Sequence, residues 1–334
     1  MSVLSLPSVI PISVVIIARN EERRLGDCID SVRLLTDDIV VVDSGSTDRT
    51  REVAESHGAR VVYHAWEGYS EQKNFGNGLA KHDWILSLDA DERVSIKLAD
   101  SFRRELSADP SCDAYRFRFK NFFAGKPVRF GAWNPESHVR LFDRRKFSWN
   151  SDDVHEGLQG TADCRIGCLE GVMLHFTIEE RAQLAKKTEL YASLFAQKAR
   201  QRKKSVSWAK IWLNPEWRFF RDYIVRLGLL DGAAGWEIAF EAARYTHLKY
   251  SRASTATVGH RILVRTGFAT VAMALAMIGY ASVSLLASKL SHTLQARVES
   301  FDPNTRSTAH QLAALDDDYE DAGVVLPLDD DGVA

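Results

Sequence analysis

The first hundred residues alternate short apolar runs with stretches of helical periodicity, and this alternation restricts the fold more than any other feature of the chain. Four runs rich in β-branched and other apolar residues are predicted to be strands, at residues 13–17, 39–43, 60–64 and 84–91. The segments between them are short and carry apolar residues at helical spacing. Strands joined in this way run parallel, so the sequence predicts an α/β fold, with a Rossmann-like, mainly parallel sheet and flanking helices.

Polar clusters follow three of these predicted strands, with the sequences ARNEE, DSGSTD and DADE. Ligands of parallel sheets bind outside the carboxyl ends of the strands, so we expect the three clusters to line one crevice. In the last cluster Asp89, Asp91 and Glu92 are crowded onto one short turn. Because like charges repel and a desolvated carboxylate is costly, a positive group is expected beside them.

The chemistry of these clusters favours a nucleotide bound through a metal ion. No GxGxxG motif follows the first strand and no GxxxxGK[ST] motif occurs in the chain, which argues against dinucleotide and P-loop sites. Carboxylates repel phosphate directly. They can instead accept hydrogen bonds from sugar hydroxyls, or hold Mg²⁺ or Mn²⁺, which then binds the diphosphate.

Ordered motifs along the chain resemble those of glycosyltransferase family 2, whose members are inverting enzymes with the GT-A fold. The motifs are VVIIARNEE, VVVDSGSTDRT, SEQKNFGNGLAKHDW and LSLDADE, the last with an Asp-x-Asp pair. Farther on, FGAWNPESHVRLFDRR, DDVHEGL and PEWRFFRDYIVRLGLLDGAAG resemble the branch of lipopolysaccharide inner-core β-glucosyltransferases, up to about residue 252. The resemblance implies transfer from a UDP-sugar, by analogy UDP-glucose, to a glycolipid or lipopolysaccharide-core acceptor.

The resemblance also implies roles for individual residues. Those expected to bind the nucleotide are Arg19, Asn20, Glu21, Asp43, Lys73 and Asp89. Those expected to bind Mn²⁺ or Mg²⁺ are Asp91, Asp89 and His155. The alternatives are that Asp43 and Asp89 cap the turns that follow them, that Lys73 is a surface lysine, and that His155 is structural.

Inverting transfer requires one carboxylate base and no covalent intermediate, unlike the paired carboxylates of retaining glycosidases. We assign the base to Glu156, because VHE occurs at the same place in the resembling branch, and rank Asp152 and Asp153 next, followed by Glu136 and Glu92. A loop carboxylate with a structural role is the alternative.

The acceptor is expected to meet a second set of side chains, Trp133, His138 and Arg140. Arg140 suits a phosphate or an acidic sugar through paired hydrogen bonds, and the alternative is an arginine on the surface of a strand. Cys164 and Cys168 could form a metal site with His175, but their spacing differs from that of a zinc knuckle. Four scattered cysteines indicate a reducing compartment.

The formal net charge of −2 conceals three unlike regions. Residues 181–265 contain 17 Lys and Arg against 6 Asp and Glu, whereas residues 266–334 contain 3 against 10. The basic region predicts an anionic partner, and its interleaved Trp and Arg suit an anionic membrane surface rather than nucleic acid. A helix pair with buried tryptophans is the alternative.

Residues 266–288 contain no charge, and a membrane-spanning helix, an interfacial hairpin and a buried helix all fit them. The apolar N-terminal run has no preceding Lys or Arg, which argues against a signal peptide. We therefore expect the protein at the cytoplasmic face of the inner membrane, as a peripheral or single-span protein.

The chain is thus expected to have five parts. They are a nucleotide-sugar-binding half at 1–110, an acceptor-binding and catalytic half at 111–180, a basic amphipathic helical region at 181–265, the apolar segment at 266–288 and an acidic, disordered tail at 289–334. Two other functions fit parts of the pattern. A nucleotidyltransferase would normally show glycine in the first loop, and a non-catalytic membrane- or nucleic-acid-binding protein would leave the strand-end acids unexplained.

Overall fold

The computed structural model describes residues 9–107, 109–150, 157–201 and 206–254. The strands are β1 (Ile12–Ala18), β2 (Asp38–Asp43), β3 (Arg60–Tyr63), β4 (Trp84–Asp89), β5 (Glu92–Val94), β6 (Ala114–Phe123), β7 (Lys126–Pro127), β8 (Ser137–Asp143), β9 (Phe147–Trp149), β10 (Leu158–Gly160) and β11 (Ile166–Ile178). The helices are α1 (Leu25–Val32), α2 (Thr50–Ser56), α3 (Tyr69–Leu79), α4 (Ile96–Leu106), α5 (Arg181–Gln201), α6 (Trp208–Phe220) and α7 (Gly232–Ala253). Single turns of 3₁₀-helix at Gly131–Trp133 and Gly228–Asp231 and of π-helix at Arg221–Val225 complete the described elements.

One sheet of nine strands organises the first half of the chain, in the order β3-β2-β1-β4-β8-β6-β11-β5, with β7 paired to β6. The first four strands are parallel, as predicted. Beyond β4 the sheet is mixed, because β8 runs antiparallel to both β4 and β6 while β11 runs parallel to β6. The predicted α/β class is confirmed, and the parallel pairing is concentrated in the half that alternates with helices.

The core lies on both faces of β1, as a fully apolar strand requires. Val14 and Ile16 point into the larger cluster with Leu25 and Ile29 of α1, whereas Val15 belongs to a second cluster on the other face. Burial of each such side chain contributes about 1.5–3 kcal/mol relative to exposure. The strand ends are therefore held firmly, and the register sets Ala18 of β1 beside Asp43 and Ile17 beside Asp89.

The predicted strand over 84–91 ends two residues early. β4 stops at Asp89, the chain turns through Ala90 and Asp91, and β5 starts at Glu92. The physical reason is a change of partner, since β5 pairs antiparallel with β11 and places Glu92 opposite His175. The acid turn thus connects two different parts of the sheet.

The described C-terminal part is helical, as predicted, and α7 packs against both α5 and α6. Arg244 and Arg252 of α7 form ion pairs with Glu189 of α5, and Phe219 of α6 contacts the ring of Trp236 at 4.9 Å. Among the described residues, none of the helices combines the length and apolar character that crossing a bilayer requires. The predictions for 266–288 and 289–334 lie outside the described residues.

Candidate active site

Hydrogen bonds join the loops that follow β1 and β2 at the carboxyl edge of the sheet. The backbone N–H of Asn20 donates to Ser46 Oγ over 2.9 Å, and the Asn20 side chain accepts from the N–H of Thr47 over the same distance. The N–H of Glu21 donates to Thr50 Oγ1 at 2.8 Å. Asn20 adopts a φ of 58°, which asparagine tolerates better than most residues. The predicted meeting of the ARNEE and DSGSTD clusters is confirmed.

Asp43 ends β2 with a fully buried side chain that is bonded within its own loop. The N–H groups of Gly45 and Ser46 donate to it at 3.1 Å, and Arg51 Nε donates at 2.7 Å. Burial alone would raise the pKa of Asp43, but the bonds from Ser46 and Arg51 hold that pKa below its ordinary value. The carboxylate shapes this loop, which is the capping alternative given above, and its contact with a nucleotide stays a prediction.

Asp89 and Glu92 share one arginine. Arg140 Nη2 lies 2.9 Å from both Asp89 Oδ2 and Glu92 Oε1, and Glu92 Oε2 accepts the N–H of Asp89 at 3.0 Å. Lys73 Nζ lies 3.6 Å from Asp89 Oδ1 and 4.5 Å from the centre of the Trp149 ring. The Lys73 side chain is buried and the Arg140 side chain is only 12% exposed, so neither is the surface residue offered as its alternative.

The pKa values of the two acids of this network shift in opposite directions. Burial favours the neutral form of Asp89, but Lys73 and Arg140 outweigh burial and hold the pKa of Asp89 well below its ordinary value. Burial raises the pKa of Glu92 to about 7, although Arg140 opposes this rise. Asp89 is therefore a fixed negative charge, and Glu92 can exchange a proton near neutral pH.

Asp91 faces a histidine and an arginine. Its Oδ2 lies 3.7 Å from His175 Nε2 and 3.6 Å from Arg24 Nη1. Arg24 Nε also lies 3.0 Å from Glu179 Oε1 and 4.0 Å from Glu21 Oε2. Burial lowers the pKa of His175, but Asp91, Glu92 and Glu136 together raise it above its ordinary value, and burial raises the pKa of Glu21 to about 7 against the effect of Arg24. A cleft of about 230 Å³ adjoins this cluster and is lined by Asn20, Glu21, Glu22, Arg23, Arg24, Asp48, Glu179 and Gln183.

Asp91 and His175 place a carboxylate oxygen and an imidazole nitrogen 3.7 Å apart at the acid turn. A carboxylate oxygen and an imidazole nitrogen both bind Mn²⁺-type ions, and such ions take their other ligands from substrate phosphates and water. Within the described ranges, no group of three or more His, Cys, Asp and Glu side chains is placed to hold a metal. Cys164 contacts Thr161 instead, so the described residues do not form the cysteine–histidine site considered above.

The expected acceptor side contains a connected polar group on β6 and β8. Asn121 Nδ2 donates to the carbonyl of Trp133 at 2.9 Å and to Glu136 Oε2 at 2.5 Å. Glu136 Oε1 lies 2.8 Å from His138 Nε2, and the Phe119 ring packs edge-on against His138 at 5.1 Å. These bonds link the Trp133 backbone to His138 through Asn121 and Glu136, and contact of Trp133 and His138 with the acceptor stays a prediction.

The loop predicted to carry the catalytic base is not among the described residues. Asp152, Asp153, His155 and Glu156 lie outside the described residues, so their roles stay predictions. Arg19 is described and exposed at the end of β1.

Sequence reasoning missed His175, Arg24 and Glu179. His175 was grouped only with the cysteines, and a histidine within the apolar run VMLHF was its one visible signal. Its place beside the acid turn depends on the pairing of β5 with β11 across some eighty residues, which local periodicity does not encode.

Comparison with known proteins identifies the family to which the chain belongs. A sequence model described as "Glycosyl transferase family 2" matches residues 13–157. An uncharacterized glycosyltransferase of Rickettsia conorii is 31% identical over 258 residues, covering 73% of this chain and 90% of the relative. The lipopolysaccharide core biosynthesis glycosyltransferase LpsC of Rhizobium meliloti is 31% identical over 247 residues, covering 72% and 90%.

Among solved structures, glucosyl-3-phosphoglycerate synthase of Mycobacterium tuberculosis, in complex with Mn²⁺, UDP and glucosyl-3-phosphoglycerate, is 28% identical with a TM-score of 0.29. That match covers 35% of this chain and 45%, less than half, of the synthase. The two relatives, in contrast, exceed 30% identity across more than two thirds of both chains. Together with the match to the sequence model of the family, they show that this chain belongs to glycosyltransferase family 2.

Proposed function

We propose that this glycosyltransferase moves a sugar, with glucose the expected one, from a UDP-sugar to a glycolipid or lipopolysaccharide-core acceptor by a metal-dependent, inverting displacement. The observation that carries the proposal is the acid turn at the carboxyl edge of the sheet, where Asp89 faces Lys73 and Arg140 while Asp91 faces His175. The name of the relative LpsC supports an acceptor in the lipopolysaccharide core.

Asp91 is the proposed principal ligand of Mn²⁺ or Mg²⁺, with Asp89 and His155 as the further ligands expected from the sequence. The 3.7 Å between Asp91 and His175 adds His175 to this group. His175 Nδ1 is buried without a hydrogen-bond partner among the described residues, so Nε2 is the ring atom that faces the site. A bound metal would neutralise the charge that builds up on the departing diphosphate.

The chain's own groups then have distinct tasks. Lys73 and Arg140 keep Asp89 ionised, so that Asp89 can accept a hydrogen bond from the ribose or from a metal-bound water. Arg19, Asn20, Glu21 and Asp43 shape or contact the nucleotide end of the crevice. Glu156, or Asp152 or Asp153 in its place, removes the proton of the acceptor hydroxyl as that oxygen attacks the anomeric carbon. These acceptor-side steps rest on the sequence.

A glycolipid acceptor places the enzyme at a membrane. We infer that it works as a peripheral or single-span protein at the cytoplasmic face of the inner membrane, with an anionic membrane surface and no nucleic acid as its partner. Residues 181–265 contain 17 basic and 6 acidic residues, and this excess of positive charge supports the inference. Family membership favours the transferase over the nucleotidyltransferase and non-catalytic alternatives.

Calorimetric titration with UDP tests the proposal. We expect binding in Mn²⁺ that is lost in EDTA, and loss of the Mn²⁺-dependent binding in Asp91→Asn. Asp100→Asn, an exposed acid of α4, is the matched control and should bind UDP normally. A panel of UDP-sugars, with release of UDP as the readout, should then show fastest turnover of UDP-glucose. UDP binding that ignores both metal and Asp91 would refute the proposed metal turn.

A further inference from the structure

One side of α6 and of the π-helical turn after it is apolar and exposed. Leu213, Trp217, Phe220 and Ile224 follow one another at intervals of four, three and four residues, which places them on a single helical face. Their exposed fractions are 61, 58, 44 and 37%. These four residues are called the α6 ridge below. Exposed apolar side chains aligned on one helical face are a candidate interaction site.

The ridge is not needed to hold α6 in place. The opposite face of the helix buries Ile211 and Phe219, and Tyr223 of the π-helical turn is buried beside them. The rings of Phe219 and Tyr223 contact Trp236 of α7 at 4.9 and 5.4 Å. α6 therefore has two apolar faces, one packed against α7 and one exposed.

A cluster of arginines accompanies the ridge. Arg218 Nε and Arg221 Nε lie 2.5 and 3.0 Å from the carboxylate of Asp222, and Arg226 Nη1 lies 3.7 Å from it. The Asp222 side chain is fully buried, whereas the arginines are partly exposed. One buried carboxylate thus lies against three guanidinium groups, so the group formed by these four side chains is net positive.

We propose that the α6 ridge and this arginine cluster dock the enzyme onto a bilayer that contains anionic lipids. Apolar and aromatic side chains beside arginines match an interface at which rings enter the headgroup region and guanidinium groups bind phosphates. Charge complementarity favours the bilayer over a second copy of the chain, because a two-fold contact through this face would bring two clusters of excess positive charge together. The proposal rests on the proposed function, in which the acceptor is a glycolipid.

The docking segment is bonded to the loop that carries Trp133. The N–H of Gly131 donates to the carbonyl of Arg226 at 2.9 Å. The carboxylate of Asp231 accepts from the N–H groups of Arg129 and Phe130 at 3.0 and 2.8 Å. A bilayer bound at the ridge would therefore contact the segment that is fixed to the expected acceptor side, which suits a lipid-linked acceptor.

Vesicle binding by the full chain tests the docking surface. The probes are phosphatidylcholine vesicles with and without phosphatidylglycerol, and the variants are Trp217→Gln/Phe220→Gln and Arg226→Gln. The matched control is Leu34→Gln/Ile96→Gln, two apolar residues exposed by 60 and 84% on other elements. We expect the ridge variant to lower vesicle binding by about tenfold or more, Arg226→Gln to lower it on phosphatidylglycerol vesicles alone, and the control to bind as wild type does.

Three outcomes would overturn the docking surface: no binding of the wild type to phosphatidylglycerol vesicles, unchanged binding of the ridge variant, or a wild-type dimer that the ridge variant converts to a monomer. UDP binding in Mn²⁺, measured on the same proteins without vesicles, separates this from the proposed function. A ridge variant that binds UDP normally but has lost vesicle binding supports both. Ridge-dependent vesicle binding without any UDP binding would leave the docking surface standing and refute the proposed function.

Discussion

Arg140 holds two carboxylates that approach each other at the end of β4. Its Nη2 donates at 2.9 Å to both Asp89 and Glu92, and the Glu92 side chain is 1% exposed. Removing one partner of a buried ion pair leaves an uncompensated charge, which costs more than the pair itself contributes. The acid turn is therefore expected to depend on this arginine for stability as well as for the charge of Asp89.

We predict that Arg140→Gln lowers the free energy of unfolding by about 3–5 kcal/mol, measured by urea denaturation. The double variant Arg140→Gln/Asp89→Asn should recover part of the loss, because a neutral amide replaces the carboxylate that stays ionised when Arg140 is removed. A loss below about 1 kcal/mol would place Arg140 in the range of exposed ion pairs and contradict the buried network. An equal loss in the single and double variants would show that Asp89 is not the stranded group.

Single substitutions can also identify the catalytic base. Glu156→Gln keeps the size of the side chain but cannot accept the acceptor's proton, so we predict normal UDP binding and a turnover reduced by about 10²–10⁴-fold. Asp152→Asn and Asp153→Asn are the matched controls in the same loop. Near-normal turnover of Glu156→Gln with a loss in one control would move the role to that aspartate.

At the scale of the elements, the close approach of α3 to the sheet positions Lys73. A Cβ atom added at Gly76 would lie 2.4 Å from Val15 Cγ1 and 2.9 Å from Val42 Cγ2. Only glycine therefore lets α3 approach β1 and β2 this closely. The same helix carries Asn74, which exchanges two hydrogen bonds with the backbone of Trp149.

We predict that Gly76→Ala destabilises the protein by about 1–3 kcal/mol through overpacking, and also weakens UDP binding, because α3 must move away from Asp89. Gly78→Ala lies on the same helix, where an added Cβ meets nothing within 4 Å. This control should be neutral or gain up to about 1 kcal/mol from helix propensity. Thermal unfolding and UDP titration of both variants check the pair, and equal behaviour would contradict the close approach.

The elements also show what sequence can predict here. β1, β2 and β4 and the polar loops after them follow from local periodicity, and the register of a parallel sheet then brings ARNEE and DSGSTD together. The contact between the acid turn and His175 cannot be predicted in this way. Glu92 meets His175 only because β5 pairs with β11, and a pairing between distant strands depends on tertiary packing that no local pattern records.

At the scale of the whole molecule, the site places charges that oppose stability near neutral pH. The pKa values of Glu21 and Glu92 are both raised from the ordinary 4.5 to about 7, mainly by burial. Glu21 lies in the loop after β1 and Glu92 begins β5, yet both lie at the edge of the sheet where the nucleotide is expected. A raised carboxyl pKa means that the folded state resists ionisation that the unfolded chain accepts freely.

The raised pKa of Glu21 predicts in which direction stability changes with pH. Below pH 4.5 its carboxyl is protonated in both states and has no effect on pH dependence. Between 4.5 and about 7 the unfolded chain ionises while the folded protein stays protonated, so the free energy of unfolding falls as pH rises, by at most about 1.4 kcal/mol per pH unit. Above about 7 both states are ionised and the loss is constant.

We therefore predict that the free energy of unfolding of wild type, minus that of Glu21→Gln, decreases between pH 4.5 and about 7 and then levels off. Urea denaturation in EDTA at several pH values measures this difference. The contributions of titrating groups that do not interact with Glu21 are the same in both proteins and cancel. A difference that does not change with pH would mean that Arg24 fully offsets the effect of burial on the pKa of Glu21. A difference that increases with pH would mean that ion pairing lowers this pKa by more than burial raises it.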